Sequence, residues 1–287
     1  MKNYIICTDS ACDIRAEILR GWNVPVFDLT FKFDGEDTEH TENDVSINDF
    51  YNQMRDGKVA KTSAINPDTF KEEFKKILAE DNDILYLSFS SGLSTTYNSA
   101  RIAAEELEEE FPDSKIIIVD TLCASAGQGL LLKLTLEKKN NGASIDQAAK
   151  FAEDTKLNIC HWFTVDDLVY LKRGGRVSPT VAFVGAVLGI KPVLHVDNEG
   201  HLISKSKARG RKAALNTLID KYDELAIDKS DTVFICNADC SSDVNYLKEQ
   251  LDAKFGAKVE LVTDIGPVIG AHAGPGTLGV FFIGKER

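Results

Sequence analysis

The sequence predicts an α/β protein in two parts, a parallel three-layer α/β/α region followed by a mixed-sheet two-layer α/β region. Three observations lead there. Short apolar runs alternate with helical patterns as far as residue 140, the rhythm of a parallel sheet covered on both faces. From Cys160 the rhythm changes, and the apolar runs Lys191 to Val196 and His201 to Ser206 flank an Asp197-Asn198-Glu199-Gly200 turn, the chemistry of an antiparallel hairpin. A chain of 287 residues, 43% hydrophobic and 27% charged, is also long enough to bury two cores. These observations divide the chain into residues 1–159 and 160–287.

Taken in order, Asn3 to Thr8 is a first strand ending in the polar turn Thr8 to Asp13, with Asp13 expected to cap a helix from about Ile14 to Arg20. Pro25 to Phe33 reads as one strand, Asp34 to Asp44 as an acidic surface excursion, and Ser46 as the cap of a helix reaching about Gly57. Lys61, Thr62 and Ser63 fall in a loop. Asn66-Pro67 then starts a helix to Ala79 by the pairing of a capping side chain with proline at the first helical position. Ile84 to Phe89 and Lys115 to Val119 are further strands, with helices from the central serine loop to Glu110, from Ala124 to Lys139, and from the Ser144 cap to about Asn158. Gly127 and Gly129 let the helix after Ala124 pack closely, against the first region's own sheet or, less plainly, against a ligand. In the second part come a strand from Cys160 to Val165, the stretch Asp167 to Gly175, an apolar helix from Thr180 to Leu188, and the hairpin. Helices 210–226 and 241–255 alternate with strands 232–236 and 258–263, and Thr277 to Ile283 is the last strand.

Between a strand and a helix lies Ser88 to Ala100, SFSSGLSTTYNSA, rich in hydroxyls at Ser90, Ser91, Ser94, Thr95 and Thr96. A helix start carries unpaired N–H groups and a partial positive charge, so such a loop can hold an anion, although a serine-rich cap explains the same residues. Asp9 and Ser10 end the first strand, on the side of an α/β sheet where ligands bind.

The net charge of −12 argues against nucleic acid as a partner, because phosphate neutralisation needs a basic face. From Lys172 to Lys212, however, nine basic residues stand against Asp197 and Glu199, a local +7 that leaves −19 for the remainder. The lysines read as a solvated face; arginines beside paired glycines point to docking on something anionic. No apolar run approaches the roughly 20 residues that span a bilayer, and MKNYIICTDS reads as a strand, so a cytoplasmic protein is expected. Six cysteines without a C-x-x-C pair read as reduced core thiols, with no metal site or cofactor expected. Gly274 to Gly279 fits G-x-G-x-x-G as a string but precedes a strand, so it fails as a dinucleotide loop, and neither a Walker loop nor H-E-x-x-H occurs.

The central loop resembles the SSGLSGTY segment of the DegV family of bacterial fatty-acid-binding proteins. Further segments follow in family order: TDSACD (Thr8 to Asp13), KTS (Lys61 to Ser63), DTLCASAGQG (Asp120 to Gly129), DDLVYLKRGGRVS (beginning at Asp166-Asp167 and ending at Ser178), LGIKPVL (Leu188 to Leu194), ARGRKA (Ala208 to Ala213) and IGPVIGAHAGPGTLGV (Ile265 to Val280). The resemblance implies a DegV-like two-domain fold with a long-chain fatty acid, such as palmitate, stearate or oleate, between the domains. It implies that Thr62, Ser94 and His272 bind the carboxylate and that Asp9, Ser10, Ser63 and Ser91 lie near the ligand. It also implies a non-enzymatic role, in which the buried carboxylate is presented to a separate fatty acid kinase that makes acyl phosphate for phospholipid synthesis. Arg173, Arg176, Arg209 and Arg211 would then dock the kinase or an anionic membrane surface. Two departures stand out. Thr95 replaces the usual glycine and either joins the anion site or marks a different backbone, and Ala64-Ile65 replaces a common Gln-Pro pair.

A fatty acid needs an enclosed apolar tunnel and a paired carboxylate. Each buried methylene is worth about 0.8 kcal/mol, so about fifteen supply on the order of 12 kcal/mol before ordering costs. Val181 to Ile190, with Phe183, Val184, Val187 and Leu188, is a candidate tunnel wall, although core packing accounts for it equally. Two other classes remain open: a serine esterase using Ser94, His272 and Asp9 or Asp120, against which stands the missing second glycine of a nucleophile elbow, and a dihydroxyacetone-kinase-like subunit binding another small ligand.

Overall fold

The computed structural model describes residues 2–177 and 189–287. The expected helix Thr180 to Leu188, Ser178, and the candidate tunnel residues Phe183, Val184, Val187 and Leu188 lie outside the described residues.

The fold is mixed α/β. The first sheet is wholly parallel, in the order β2 (Val26–Phe27), β1 (Tyr4–Asp9), β5 (Asp83–Ser88), β6 (Ile116–Asp120). Strand alternation explains why both faces are covered. Ile6, Leu85 and Leu87 enter one core with α5 (Ala126–Asn140) and α6 (Ile145–Thr155), while Cys7, Ile84 and Tyr86 enter another with α3 (Pro67–Leu78) and α4 (Thr96–Glu108). The helix starts follow the side-chain chemistry. Ser46 accepts from Asp49 N–H ahead of α2 (Ile47–Arg55), Asn66 from Thr69 N–H ahead of α3, and Ser144 with Gln147 forms a capping box on α6.

The second sheet runs β11 (Lys258–Asp264), β10 (Thr232–Asn237), β12 (Leu278–Ile283), β7 (Ile159–Thr164), β8 (Ile190–Val196), β9 (Leu202–Arg209), with only the β10–β11 pair parallel. Its outer face packs under α8 (Arg211–Leu225) and α9 (Ser241–Phe255). Its inner face does not close a separate core: Phe234, Cys236 and Phe281 join Leu130 and Leu131 of α5 in one cluster, so α5 is a layer shared by both sheets.

Several local expectations change. Residues 25–33 form two strands, because Asp28-Leu29 breaks the run and β3 (Thr30–Phe33) leaves the sheet to pair antiparallel with β4 (Ala60–Ser63). Lys61, Thr62 and Ser63 are therefore strand residues rather than a loop. Asp13 does not cap the first helix, α1 (Ala16–Gly21), whose N-cap Arg15 makes no side-chain bond. Instead its buried carboxylate accepts from the Ser125 hydroxyl and from Gly266 N–H at 2.8 Å, tying together segments from both halves of the chain. Burial pushes that carboxyl well above its usual range. Gly127 faces the second sheet, not the first: a methyl group there would lie 2.1 Å from His161 Nε2 of β7. The six cysteines are free and all but Cys240 are buried.

Candidate functional site

The two sheets and the loops at their ends enclose a cavity of about 300 Å³, at the lower end of the roughly 300–1,000 Å³ of small-molecule sites. Its walls are largely apolar and come from both halves: Leu29, Phe89, Leu93 and Ala124 from the first, Phe163, Leu171, Val196, Leu202, Ile265, Val268, Ile269 and Phe281 from the second. Other polar residues in the wall are satisfied within it. The Thr277 hydroxyl donates to Ala273 and Gly274 carbonyls, Ser125 donates to Asp13, and His161 Nε2 accepts from Ala124 N–H at 3.4 Å.

The remaining polar lining side chains are Thr62, Ser63, Ser94, Thr95, Arg176 and His272. Thr62 Oγ1 lies 2.8 Å from His272 Nε2. His272 stands in the last turn of the short helix α10 (Pro267–Ala273), where a glycine-rich turn is expected from the sequence; Gly266-Pro267 is its start signal. Its Nδ1 is buried and has no partner among the described residues, and burial followed by the nearby Arg176 charge pushes the imidazole down to about 4, so it is neutral at pH 7. Gly174, at the end of α7 (Val169–Arg173), makes the room: a methyl group there would lie 2.0 Å from Nδ1. Arg176 turns inward, lines the cavity, and donates from Nε to the Leu93 carbonyl at 3.1 Å and from a terminal nitrogen to the Gly174 carbonyl at 2.5 Å. Leu93 is the neighbour of Ser94, so Arg176 ties the serine loop to the end of α7, and its charge acts on His272.

Ser94 also lines the cavity. Its half-buried Oγ lies 2.9 Å from Thr96 Oγ1 and accepts from Thr96 N–H at 3.2 Å, a cap-like role at the start of α4. Thr95 lines the cavity too, in ordinary right-handed backbone (φ −78°, ψ −3°) with no capping bond, so the residue replacing the usual glycine causes no strain. Ser63 is a lining residue whose hydroxyl donates to Glu39 at 2.8 Å.

Asp9, Ser10 and Ser91 are not among the lining residues. Asp9 is fully buried and committed: it accepts from Tyr86 Oη at 2.6 Å, Phe89 N–H at 2.8 Å, and Ala11 N–H and Gln128 Nε2 at 3.2 Å, with burial raising its carboxyl despite these donors. Ser10 Oγ accepts from Leu29 N–H at 3.0 Å, holding a wall residue in place, and exposed Ser91 donates its N–H to Asp120 at 3.1 Å. The four arginines divide. Arg173 and Arg209 are exposed, whereas Arg176 lines the cavity and Arg211 is paired with Asp243 at 2.8 Å. All four stand beside glycines in the sequence; only the fold separates them.

The esterase constellation is not assembled among the described residues. Ser94 bonds Thr96, His272 bonds Thr62, Asp9 serves Tyr86, and Asp120 accepts from Ser91 and Leu122 N–H groups. What the sequence reading missed at this site is Arg176 as a cavity residue and Gly174 as the gap for His272; the Gly174-Gly175-Arg176 triplet was the available signal.

Residues 3–285 match the family model described as "Uncharacterised protein, DegV family". The chain is 41% identical over 289 residues to a DegV domain-containing protein of Clostridium perfringens, covering 100% of this chain and 99% of that protein. It is 34% identical over 280 residues to a protein of Thermotoga maritima named as a fatty acid-binding protein, covering 96% and 95%. Among solved structures, a DegV lipid-binding protein from Thermotoga maritima superposes with a TM-score of 0.87 at 32% identity over 99% of both chains. The chain belongs to the DegV family.

Proposed function

We propose that the protein binds a long-chain fatty acid, with the tail in the apolar cavity and the carboxylate at Thr62, His272, Ser94 and Thr95, beside Arg176. The observation that carries this reading is the Thr62–His272 pair at 2.8 Å in a largely apolar cavity. The pair holds two mobile protons, one hydroxyl and one ring N–H. One is used between the partners; whichever tautomer forms, the other remains for an anion. Arg176 adds a fixed positive charge that the sequence reading did not require, and a half-buried guanidinium next to a neutral histidine favours a carboxylate over a neutral ester. The names of the Thermotoga relatives support the same ligand class.

In this reading residues 1–159 carry Thr62 and the serine loop while residues 160–287 cover the acyl chain and contribute His272 and Arg176. The protein acts as a cytoplasmic carrier without catalysis of its own, handing the carboxylate to a fatty acid kinase, with exposed Arg173 and Arg209 facing that partner or an anionic lipid surface. The test is titration of delipidated protein with stearate and with its methyl ester. The acid is expected to bind at least about tenfold tighter, the order of one hydrogen bond to a charged group. Equal affinities would overturn the carboxylate assignment, and no binding of either would overturn the ligand class.

A further inference from the structure

Strand β7 alternates between two faces. His161 and Phe163 point to the cavity, while Trp162 points to the opposite face of the sheet, under α8. Its cross-strand partner is His195 of β8, with ring centroids 5.1 Å apart and planes tilted by 34°. The two rings line a separate cleft of about 320 Å³, walled by α8 on one side and the edge strand β9 on the other. Trp162 is 4% and His195 5% exposed, yet Trp162 Nε1 and both His195 ring nitrogens have no hydrogen-bond partner among the described residues. Buried polar atoms are seldom left so, and three in one stacked pair beside a cleft call for a ligand or an equivalent.

The charges around the cleft indicate its sign. Lys205, Lys221 and Arg287 line it against Glu224 and Glu286. Lys221 is already paired with Glu224 at 2.5 Å, its ammonium 5.1 Å from the Trp162 ring centroid, and the Arg287 guanidinium is held by the Leu122 and Asp197 carbonyls at 2.7 and 3.0 Å. Lys205, on the exposed edge of β9, enters no hydrogen bond or ion pair among the described residues. Burial, then Lys205, pushes His195 down to about 4, with Arg287 and Lys221 adding to the effect and Asp197 opposing it; the ring is neutral at pH 7 and offers one N–H.

We propose that this cleft is a second binding site, for a small oxyanion of phosphate or carboxylate type, which would accept from Trp162 N–H, His195 N–H and the Lys205 ammonium. Trp162 can only donate, so an acceptor-rich ligand is the complement, and an ammonium is a point charge suited to an oxyanion. The site lies across the sheet from the fatty-acid cavity, so its test stands apart from that reading.

The chain has two tryptophans, Trp22 and Trp162, so ¹⁵N-labelled full-length protein shows two indole N–H signals, assigned with Trp162→Phe or, by elimination, Trp22→Phe. Sodium phosphate and sodium acetate are titrated separately at constant ionic strength, with chloride as the balancing salt. The expected result is a saturable shift of the Trp162 signal with a dissociation constant on the order of 1–10 mM for at least one anion, an unmoved Trp22 signal, and a loss of about tenfold or more in Lys205→Ala. Saturation by phosphate alone identifies a phosphate group, and by acetate alone a carboxylate. An unsaturating drift of the Trp162 signal, a shift shared with Trp22, or unchanged affinity in Lys205→Ala would overturn the proposal.

Discussion

Thr62 and His272, 210 residues apart in the chain, meet at 2.8 Å on the cavity wall, and nothing else in the described residues bonds either end of that imidazole. The contact joins β4, a strand of the small outlying β3–β4 pair, to α10, a seven-residue helix at the far end of the chain. A fatty-acid carboxylate placed there would accept the one proton that the pair leaves free.

Removing one member should therefore cost ligand affinity with little cost in folding. Thr62→Val keeps the shape and deletes the hydroxyl. Stearate affinity is expected to fall about tenfold or more, the scale of a hydrogen bond to a charged group. Titration calorimetry on delipidated protein checks this; wild-type affinity in Thr62→Val would remove the threonine from the site.

Gly174 gives a stability prediction. A β-carbon would lie 2.0 Å from His272 Nδ1, so the ring or the backbone must shift. Gly174→Ala is expected to destabilise by about 1–3 kcal/mol, as overpacking does, and to weaken stearate binding as well. Urea unfolding at matched lipid occupancy measures the first effect. Gly175→Ala is a control of a different kind, because Gly175 has open space but a φ of +71°, so it should lose stability without loss of ligand affinity.

How much of this was legible in the sequence depends on range. The caps Ser46, Asn66 and Ser144 act within three residues of themselves, so their chemistry could be read directly. The DegV resemblance likewise gave the fold class. Contacts across the chain could not be read: Gly127 against His161, Asp13 against Gly266, and the inward turn of Arg176 each need the second sheet to be in place. The helix Pro267–Ala273 was hidden because it is two turns long and contains Gly270, whose missing side chain lets Tyr51 Oη approach to 2.5 Å of where a β-carbon would be. Asp9 and Ser10 stand at the expected end of β1, but a strand terminus supplies wall-building groups as readily as ligand-binding ones.

Glu42 supplies a pH dependence. Burial, then the negative charge of Asp28, raises its carboxyl to about 7 from an ordinary value near 4.5. The folded state therefore holds a proton that the unfolded state releases, so this group's contribution is lost as pH rises from about 4.5 through 7. Glu42→Gln should leave stability near wild type at pH 4.5 and exceed it by about 1–3 kcal/mol at pH 8, below the full linkage value because the side chain is partly exposed. Denaturant midpoints at the two pH values decide it; an equal difference at both would show that Glu42 titrates normally.

In the proposed function, the two exposed arginines serve delivery and not carrying. Arg173→Ala and Arg209→Ala are expected to retain stearate affinity within about twofold, as surface changes usually do, while slowing phosphorylation of the bound acid by a fatty acid kinase. Binding and kinase assays run on the same preparations check this. Equal loss of lipid binding in both variants would contradict the division.

The most direct measurement is native mass spectrometry of the protein as purified, followed by denaturing extraction of whatever it carries. The expected result is one stoichiometric lipid of roughly 250 to 290 Da, the size of an acid with about fifteen methylenes in its tail, released on denaturation and absent or much reduced in Thr62→Val. An empty protein that also takes up no added fatty acid would contradict it.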